Sequence, residues 1–363
     1  MGVFAYIGVI AILTLGVAVA TGWWRRLFAA FAIRPAEMTV ERLGLLVATS
    51  QDTERVNTIL RSFAGGFNAM ITRASVAASH AYSDSLPVFY RPFAEEGLAM
   101  GYTLRHLFRY NPTSFELNLV KARPHYRYLY YVGLGFWSGM RNHSAERVAR
   151  LTEGLDPLHR YLCFDGYGFK HAFFDYPKDP QILRRLDALE GYVRKAAYQG
   201  VGRGMWFLFA GHPEVLIEHI AKLGEHAGDG AAGLGLASVF VNPDRLEVAQ
   251  ELGKALPAEW HNDYHLGMCF GLKARALNDL DHFQQGVGRL PRAVQDAVYA
   301  SIRECDRVEL LIRSEGEEDG YRRWRGRVTA WMAENIEYPL AGIVQSESER
   351  LEEAATSAPR RRA

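Results

Sequence analysis

One glycine-centred signature recurs along this chain at intervals of 31 to 36 residues. It reads glycine, any residue, a small residue, then a large apolar residue. Its copies are Gly97-Leu98-Ala99-Met100, Gly133-Leu134-Gly135-Phe136, Gly166-Tyr167-Gly168-Phe169, Gly202-Arg203-Gly204-Met205, Gly233-Leu234-Gly235-Leu236 and Gly267-Met268-Cys269-Phe270, with a looser copy at Gly65-Gly66-Phe67. Periods of this length are typical of helical-hairpin repeats, in which each unit buries its apolar face only by stacking on its neighbours.

Proline dipeptides mark a second helix in several units. Asparagine or aspartate before proline is a common helix N-cap, because proline at the first helical position loses no backbone hydrogen bond. The dipeptides follow their signatures by 9 to 14 residues and are Asn111-Pro112, Asp179-Pro180, His212-Pro213 and Asn242-Pro243. The pattern predicts an all-α fold of helical hairpins that form an αα-solenoid or toroid.

An uncharged and almost wholly apolar run, residues 3–20, precedes the repeats. Its length is near the minimum for a helix that crosses a bilayer. Trp23-Trp24-Arg25-Arg26 follows at once, and paired arginines favour the cytoplasmic side of a membrane. The run predicts a transmembrane helix with the main domain in the cytoplasm. The alternative is a signal-peptidase site at Ala18-Val19-Ala20, but the usual basic segment before the apolar run is missing.

The charge balance argues against a nucleic acid partner, and the cysteines argue against a zinc site or a redox dithiol. Lys and Arg number 42 against 41 Asp and Glu, so that whole-chain charge gives no reason to expect a nucleic acid partner. The three cysteines are far apart and form no CxxC pair. No strand-like run precedes the glycine signatures, which argues against a phosphate-binding loop. We therefore expect no cofactor.

These features divide the chain into four parts. Residues 1–24 are predicted to be the anchor and residues 25–64 an N-terminal helical cap. Residues 65–341 contain the helical repeats, and residues 342–363 are polar and charged, typical of a disordered tail. The repeats are expected to stack closely, because small residues let two helix backbones approach each other.

Four stretches that contain the signature are distinctive: Arg91-Pro92-Phe93-Ala94-Glu95-Glu96-Gly97-Leu98-Ala99-Met100, Phe164-Asp165-Gly166-Tyr167-Gly168-Phe169, Gly200-Val201-Gly202-Arg203-Gly204-Met205-Trp206-Phe207 and Gly233-Leu234-Gly235-Leu236-Ala237. Through them the chain resembles the UnbL-like bacterial family associated with enediyne biosynthesis, over about residues 25–341. This resemblance implies an accessory protein encoded beside a polyene-forming polyketide synthase, with pathway enzymes as possible partners. The apolar run at residues 3–20 lies outside the resemblance, so the predicted anchor in the bacterial inner membrane rests on the composition of that run. The resemblance implies no set of catalytic residues.

Asp165 is the first candidate catalytic residue, because it precedes the most aromatic signature. A carboxyl group in an apolar aromatic pocket has a raised pKa and can act as a general acid. The alternative is that Asp165 is the N-cap of a helix that begins at Gly166.

Glu96 and Arg203 are the other catalytic candidates. Glu96 holds the same place before Gly97 that Asp165 holds before Gly166. It supplies either a second acid to a shared cavity or a favourable charge at a helix N-terminus. Arg203 stands at the second signature position, where the other copies have apolar residues. A carboxylate such as Asp165 or Glu96, or an anionic ligand, would pair with it.

Aromatic residues within or near the signatures are predicted to line a cavity for an apolar substrate. They are Phe136, Trp137, Tyr167, Phe169, Trp206 and Phe270. A separate cluster, His261-Asn262-Asp263-Tyr264-His265, could hold a metal on a helix, where the two histidines share a face. We expect this cluster to be a polar loop between units and assign no metal.

Together these observations favour a membrane-anchored accessory protein that handles or matures a long apolar polyene in an aromatic-lined cavity. Two other functions stay open. One is a terpenoid or polyene cyclase or isomerase with Asp165 as the general acid. The other is an interaction scaffold whose repeat surface docks a partner enzyme.

Overall fold

The computed structural model describes residues 27–335, and this part of the chain contains helices and turns but no strand. The all-α prediction is confirmed. No helix among the described residues is long and apolar enough to cross a membrane. The predicted transmembrane helix at residues 3–20 and the predicted tail at 342–363 lie outside this part of the chain.

Helices that carry a glycine signature alternate with connecting helices, most of which are shorter. In chain order the α-helices are α1 (Val40–Leu43), α2 (Ser50–Thr72), α3 (Val76–Asp84), α4 (Arg91–Arg105), α5 (Pro112–Phe115), α6 (Arg127–Met140), α7 (Ala145–Thr152), α8 (Leu162–Lys170), α9 (Gly191–Leu208), α10 (Pro213–Ala221), α11 (Ala227–Val241), α12 (Leu246–Ala255), α13 (His261–Asn278), α14 (Leu280–Val287), α15 (Arg292–Glu315) and α16 (Gly320–Asn335). Two π-helical segments, Glu116–Val120 and His171–Asp175, continue α5 and α8. A 3-10 segment, Pro180–Ala188, precedes α9.

The chain forms two compact units. One contains the residues up to Leu155 together with 162–167, and the other contains 156–161 and the residues from Gly168 onward. In the first unit α2, α4 and α6 lie side by side. In the second unit α9, α11 and α13 do so, and the long helices α15 and α16 pack against α13.

The glycine signature lies inside its helix rather than at the helix start that the sequence suggests. Gly97, Gly133, Gly233 and Gly267 each stand six residues after the first residue of their helix. Small residues are needed where two helix axes come closest, and that point lies well within each helix.

Each leading glycine rests on the preceding signature helix. A Cβ atom on Gly97 would lie 2.0 Å from the carbonyl oxygen of Phe63, and one on Gly133 would lie 2.3 Å from that of Glu96. The carbonyl belongs in each case to the residue just before the preceding signature, so that the helices keep one constant register. The other such pairs are Gly166 with Val132, Gly233 with Gln199, and Gly267 with Ala232.

The third signature position rests on the following helix. A Cβ atom on Gly135 would lie 1.7 Å from the carbonyl oxygen of Cys163. On Gly235 it would lie 1.9 Å from that of Tyr264. No side-chain atom fits at such a distance, so these helices need a bare Cα on both sides. The signature is thus a two-sided backbone contact.

The contact of the third position with the following helix moves the start of the fourth signature from Gly202 to Gly200. Gly202 meets the carbonyl oxygen of Gly230 in the following helix, which is the contact of a third-position residue. The signature in α9 therefore begins at Gly200, 34 residues after Gly166 and 33 before Gly233. The sequence pattern suggests intervals of 36 residues before Gly202 and 31 residues after it, and these two intervals are wrong.

The same rule places the first copy within α2. Gly66 meets the carbonyl oxygen of Ala94, so it holds the third position and the copy begins at Ala64. The predicted boundary between residues 64 and 65 would cut this helix.

Three of the four proline dipeptides stand at helix starts, as the sequence predicts. Asn111 caps α5 and Asp179 caps the 3-10 segment through their side chains, and α10 begins at Pro213 without a side-chain cap. Asn242 is different, because its amide donates to the carbonyl of Ser238 and it ends α11. The next helix, α12, starts later, at Leu246.

Replacement of a register glycine tests this packing. We expect Gly235→Ala to lower the free energy of unfolding by about 2 kcal/mol or more, because its methyl group would overlap a carbonyl oxygen. Gly326 in α16 is the matched control, since a Cβ atom there meets nothing within 4 Å. Gly326→Ala should raise stability by about 0.5–1 kcal/mol through helix propensity. Equal effects of the two variants in urea unfolding would contradict the two-sided contact.

Candidate functional site

Asp165 and Glu96 each stand just before a leading glycine and are buried. Asp165 lies within the first turn of α8, which begins at Leu162, so it is not the N-cap that its Asp-Gly sequence suggests. Glu96 lies five residues inside α4, so it is not at a helix N-terminus either. Both helices begin earlier than the signature, and this places both acids among packed helix backbones.

Arg203 holds a different place in the repeat from the one expected. With the α9 signature beginning at Gly200, Arg203 stands at the fourth position, where α8 has Phe169. Its guanidinium carbon lies 5.2 Å from the centroid of that ring. Equivalent residues of neighbouring helices thus form a cation–π contact, which gives Arg203 a packing role.

The aromatic residues predicted to line a cavity are all buried in the structure. Phe136 packs on Phe63, and Phe270 packs on Trp324 with ring centroids 4.5 Å apart. The hydroxyl group of Tyr167 donates to the carbonyl oxygen of His143. Trp206 also lines a groove.

This groove lies between two connecting helices, α10 and α12, over Trp206 of α9. It encloses about 280 Å³ and is open on one side. Its lining is mainly apolar and consists of Trp206, Gly211, His212, Pro213, Leu216, Glu247, Val248, Glu251 and Leu252. The sequence pattern points to Trp206 but not to the rest, because the walls come from two successive repeats.

His212 gives the groove a polar group. It precedes Pro213 at the start of α10, and its Nε2 atom is buried without a hydrogen-bond partner. A buried nitrogen without a partner costs free energy. Glu247 and Glu251 stand exposed on α12 at the other wall. The groove can therefore hold a flat apolar molecule that carries one hydrogen-bonding group.

A second cluster surrounds Glu95, which is fully buried in α4. Its carboxylate accepts hydrogen bonds from Tyr130 at 2.8 Å and from Arg123 at 3.2 Å. His80 Nδ1 lies 2.9 Å from the same carboxylate. The sequence does not predict this cluster, because its members come from separate segments and share no local pattern.

The groups around Glu95 shift the pKa values of two neighbouring side chains. Arg123 also pairs with Asp84 at 2.6 Å and lowers the pKa of that carboxyl group. Burial raises the pKa of Tyr130 well above its usual range, and the nearby Glu95 charge adds to the effect. Glu95 thus accepts hydrogen bonds from both Arg123 and Tyr130.

Removal of this carboxylate should be costly. Glu95→Ala leaves Arg123 and Tyr130 without their buried acceptor, and we expect a loss of about 3–5 kcal/mol in the free energy of unfolding. Glu54→Ala, on the exposed side of α2, is the control and should change stability by less than about 0.5 kcal/mol. Chemical denaturation of the two variants measures the difference, and a small effect at Glu95 would show that the cluster is not a structural ion network.

The three residues of the His-x-Asp-x-His segment lie on a helix. His261, Asp263 and His265 lie in the first turns of α13, so the prediction of a loop there is wrong. His261 Nε2 lies 2.9 Å from the carbonyl oxygen of Leu256, and burial lowers the pKa of His265 to about 3. Within residues 27–335 no group of three His, Cys, Asp or Glu side chains is placed to hold a metal ion.

Asp263 instead packs against α11. Its Oδ2 atom lies where Gly228 has no side chain, only 2.5 Å from the position of a Cβ atom there. Burial raises the pKa of Asp263, Arg325 of α16 opposes this rise, and the nearby Asp229 adds to it. Asp229 itself lies 3.3 Å from Nδ1 of His226. Two neighbouring carboxyl groups therefore have different surroundings.

The raised pKa of Asp263 predicts a pH-dependent effect. A carboxyl group whose folded pKa exceeds its unfolded one costs stability as the pH rises through the folded value. Asp263→Asn should therefore raise the Tm at pH 7. At about pH 3, where the group is largely protonated in both states, the variant and the parent should have nearly the same Tm. Asp296→Asn, which changes an exposed carboxyl group on α15, should shift neither value, and a uniform gain at both pH values would contradict the assignment.

A family model described as "Protein of unknown function (DUF1702)" matches residues 21–332. The match covers most of the chain, so the chain belongs to this family. No curated protein and no solved structure matches the chain.

Proposed function

We propose that this member of the DUF1702 family binds a flat, unsaturated apolar small molecule in the groove above Trp206. The observation that carries the proposal is the combination of an aromatic floor with apolar walls and one unpartnered histidine nitrogen. Ligand sites typically join a mainly apolar lining to a few placed polar groups. Trp206 is buried and contributes a small exposed part of its indole to the groove.

The size of the groove indicates how such a ligand would lie. A volume of about 280 Å³ is small for a whole drug-sized ligand. Because the groove is open on one side, a long polyene would place one section over Trp206 and extend along the surface. The hydrogen-bonding group of the ligand would then lie beside the His212 side chain.

The biological setting is proposed from the sequence. The resemblance to the UnbL-like family suggests a polyketide-derived polyene, as in enediyne biosynthesis, with the enzymes of that pathway as partners. The apolar run at residues 3–20 suggests a single-pass anchor in the bacterial inner membrane, with the groove on the cytoplasmic side. We also propose that the helical hairpins form an αα-solenoid or toroid.

Binding in this groove requires no acid catalyst. Asp165 is not among the residues that line it. The proposal is therefore a carrier or accessory role rather than a cyclase, and a scaffold role would need no ligand at all. A binding experiment distinguishes a role that needs a ligand in this groove from a scaffold role that needs none.

A conjugated tetraene fatty acid is a suitable probe, because it accepts excitation energy from tryptophan. We expect the probe to quench the tryptophan emission of the parent protein, and Trp206→Phe to remove most of that quenching. Trp331→Phe, which removes an indole outside the groove, is the matched control and should leave the quenching nearly unchanged. Fluorescence titration gives the affinity in each case.

A blocking variant tests the position of the ligand. Val248 is half-buried in the groove wall, and Val248→Trp would fill the groove without a change in the helix register. We expect this variant to weaken binding of the probe at least about tenfold, which corresponds to 1.4 kcal/mol. Equal affinities of Val248→Trp and the parent protein would rule out this groove as the site.

A further inference from the structure

The ionisable side chains that line the Trp206 groove include two acids and no lysine or arginine. Glu247 and Glu251 line it from α12, and His212 lines it from the start of α10. Because the groove encloses only about 280 Å³, a polar group held in it lies near all three of these residues. The groove therefore combines an apolar lining with two carboxylate groups and no cation to balance them.

The two glutamates stand four residues apart on α12, and both are exposed. Residues at this spacing share one face of a helix, where two like charges repel each other. Lys254 donates to Glu251 at 2.7 Å and offsets one of the two charges. Within residues 27–335 the carboxylate of Glu247 forms no hydrogen bond or ion pair, so its charge is not offset in this part of the chain.

The opposite wall of the groove adds to the negative charge. Helix α10 contains Glu214 and Glu218, both exposed, and no lysine or arginine. Lys222, just after α10, pairs with Glu218 at 2.6 Å. The two wall helices together contain four glutamates and one lysine. A cleft whose walls carry mostly one sign of charge concentrates the field at its mouth and attracts groups of the opposite sign.

This charge discriminates among the polar groups that an apolar ligand can carry. A carboxylate would be repelled by the two lining glutamates and would find no lysine or arginine in the lining. A hydroxyl group would be neither repelled nor attracted by their charge. A protonated amine would be attracted to both, because hydrogen bonds between charged partners are stronger than those between neutral ones. The charge of the groove therefore favours an amine.

We propose that the ligand of this groove is an apolar molecule that carries a protonated amine, and that Glu247 and Glu251 select it over a carboxylic acid. The amine would lie at the α12 wall, and the apolar part would lie over Trp206. This inference rests on the proposed function, since it names the polar group of the ligand that the groove binds.

Three conjugated tetraenes of equal chain length test this preference: a primary amine, the corresponding alcohol and the corresponding carboxylic acid. Each is titrated against the full chain at low salt, and the part of the tryptophan quenching that Trp206→Phe removes gives its affinity. We expect the amine to bind about tenfold more tightly than the acid, with the alcohol between them. Sodium chloride at about 0.5 M should reduce this ratio severalfold, because salt screens exposed charges.

Glu247→Gln combined with Glu251→Gln removes the two charges and keeps the size of both side chains. This variant should bind the amine and the acid with nearly equal affinity, and its affinity for the alcohol should stay nearly unchanged. Glu41→Gln combined with Glu54→Gln is the matched control, because it removes two exposed charges from the first unit. The control should keep the full preference for the amine.

Binding of the alcohol distinguishes failure of the amine preference from failure of the proposed function. If the alcohol binds but the acid binds as tightly as the amine, or more tightly, the preference is overturned and the groove remains a binding site. A preference that persists without the charges of Glu247 and Glu251 also overturns the inference. If none of the three compounds gives quenching that depends on Trp206, the proposed function fails and the inference fails with it.

Discussion

The contact between a glycine and a carbonyl oxygen of the neighbouring helix determines the order of this fold. In α6, α8 and α11 the signature offers a bare Cα to the helix before it and another to the helix after it. Because the two contacts lie two residues apart in sequence, they face opposite neighbours and fix the rotation of the helix as well as its height. Every other residue of the helix then receives a defined position, including Asp165 before Gly166 and Arg203 after Gly202.

The sequence predicts the repeat and its helical nature well, since small residues that recur at a period of this length are typical of stacked helical hairpins. It predicts the register less well. Gly200, Gly202 and Gly204 alternate in α9, and the letters favour the frame at Gly202, because its fourth residue is the apolar Met205 whereas that of the Gly200 frame is Arg203. Only the contact of Gly202 with Gly230 decides for the Gly200 frame. The helix boundaries are also hard to predict, because signature helices such as α4 begin with aromatic or polar residues that resemble a connecting turn.

The sequence also predicts only part of the candidate site. Trp206 stands out in the sequence because it follows a signature, whereas His212 and the walls of the groove become visible only when α10 and α12 are placed side by side. The Glu95 cluster is a stronger case. His80 and Tyr130 lie 15 and 35 residues from Glu95, and no local pattern links them. Buried ion networks of this kind depend on tertiary packing, which a single sequence does not reveal.

The close packing of the signature helices also bears on catalysis. Asp165 directly precedes Gly166, whose Cα approaches the carbonyl oxygen of Val132 so closely that a Cβ atom there would lie 2.0 Å away. A substrate beside this carboxyl group would have to share space with the point of closest backbone approach, and separation of the helices would break their register. The connecting helices are under no such constraint, because their walls can diverge without a change in the glycine contacts. The groove at Trp206 lies between two of them, and for that reason we propose binding there rather than at Asp165.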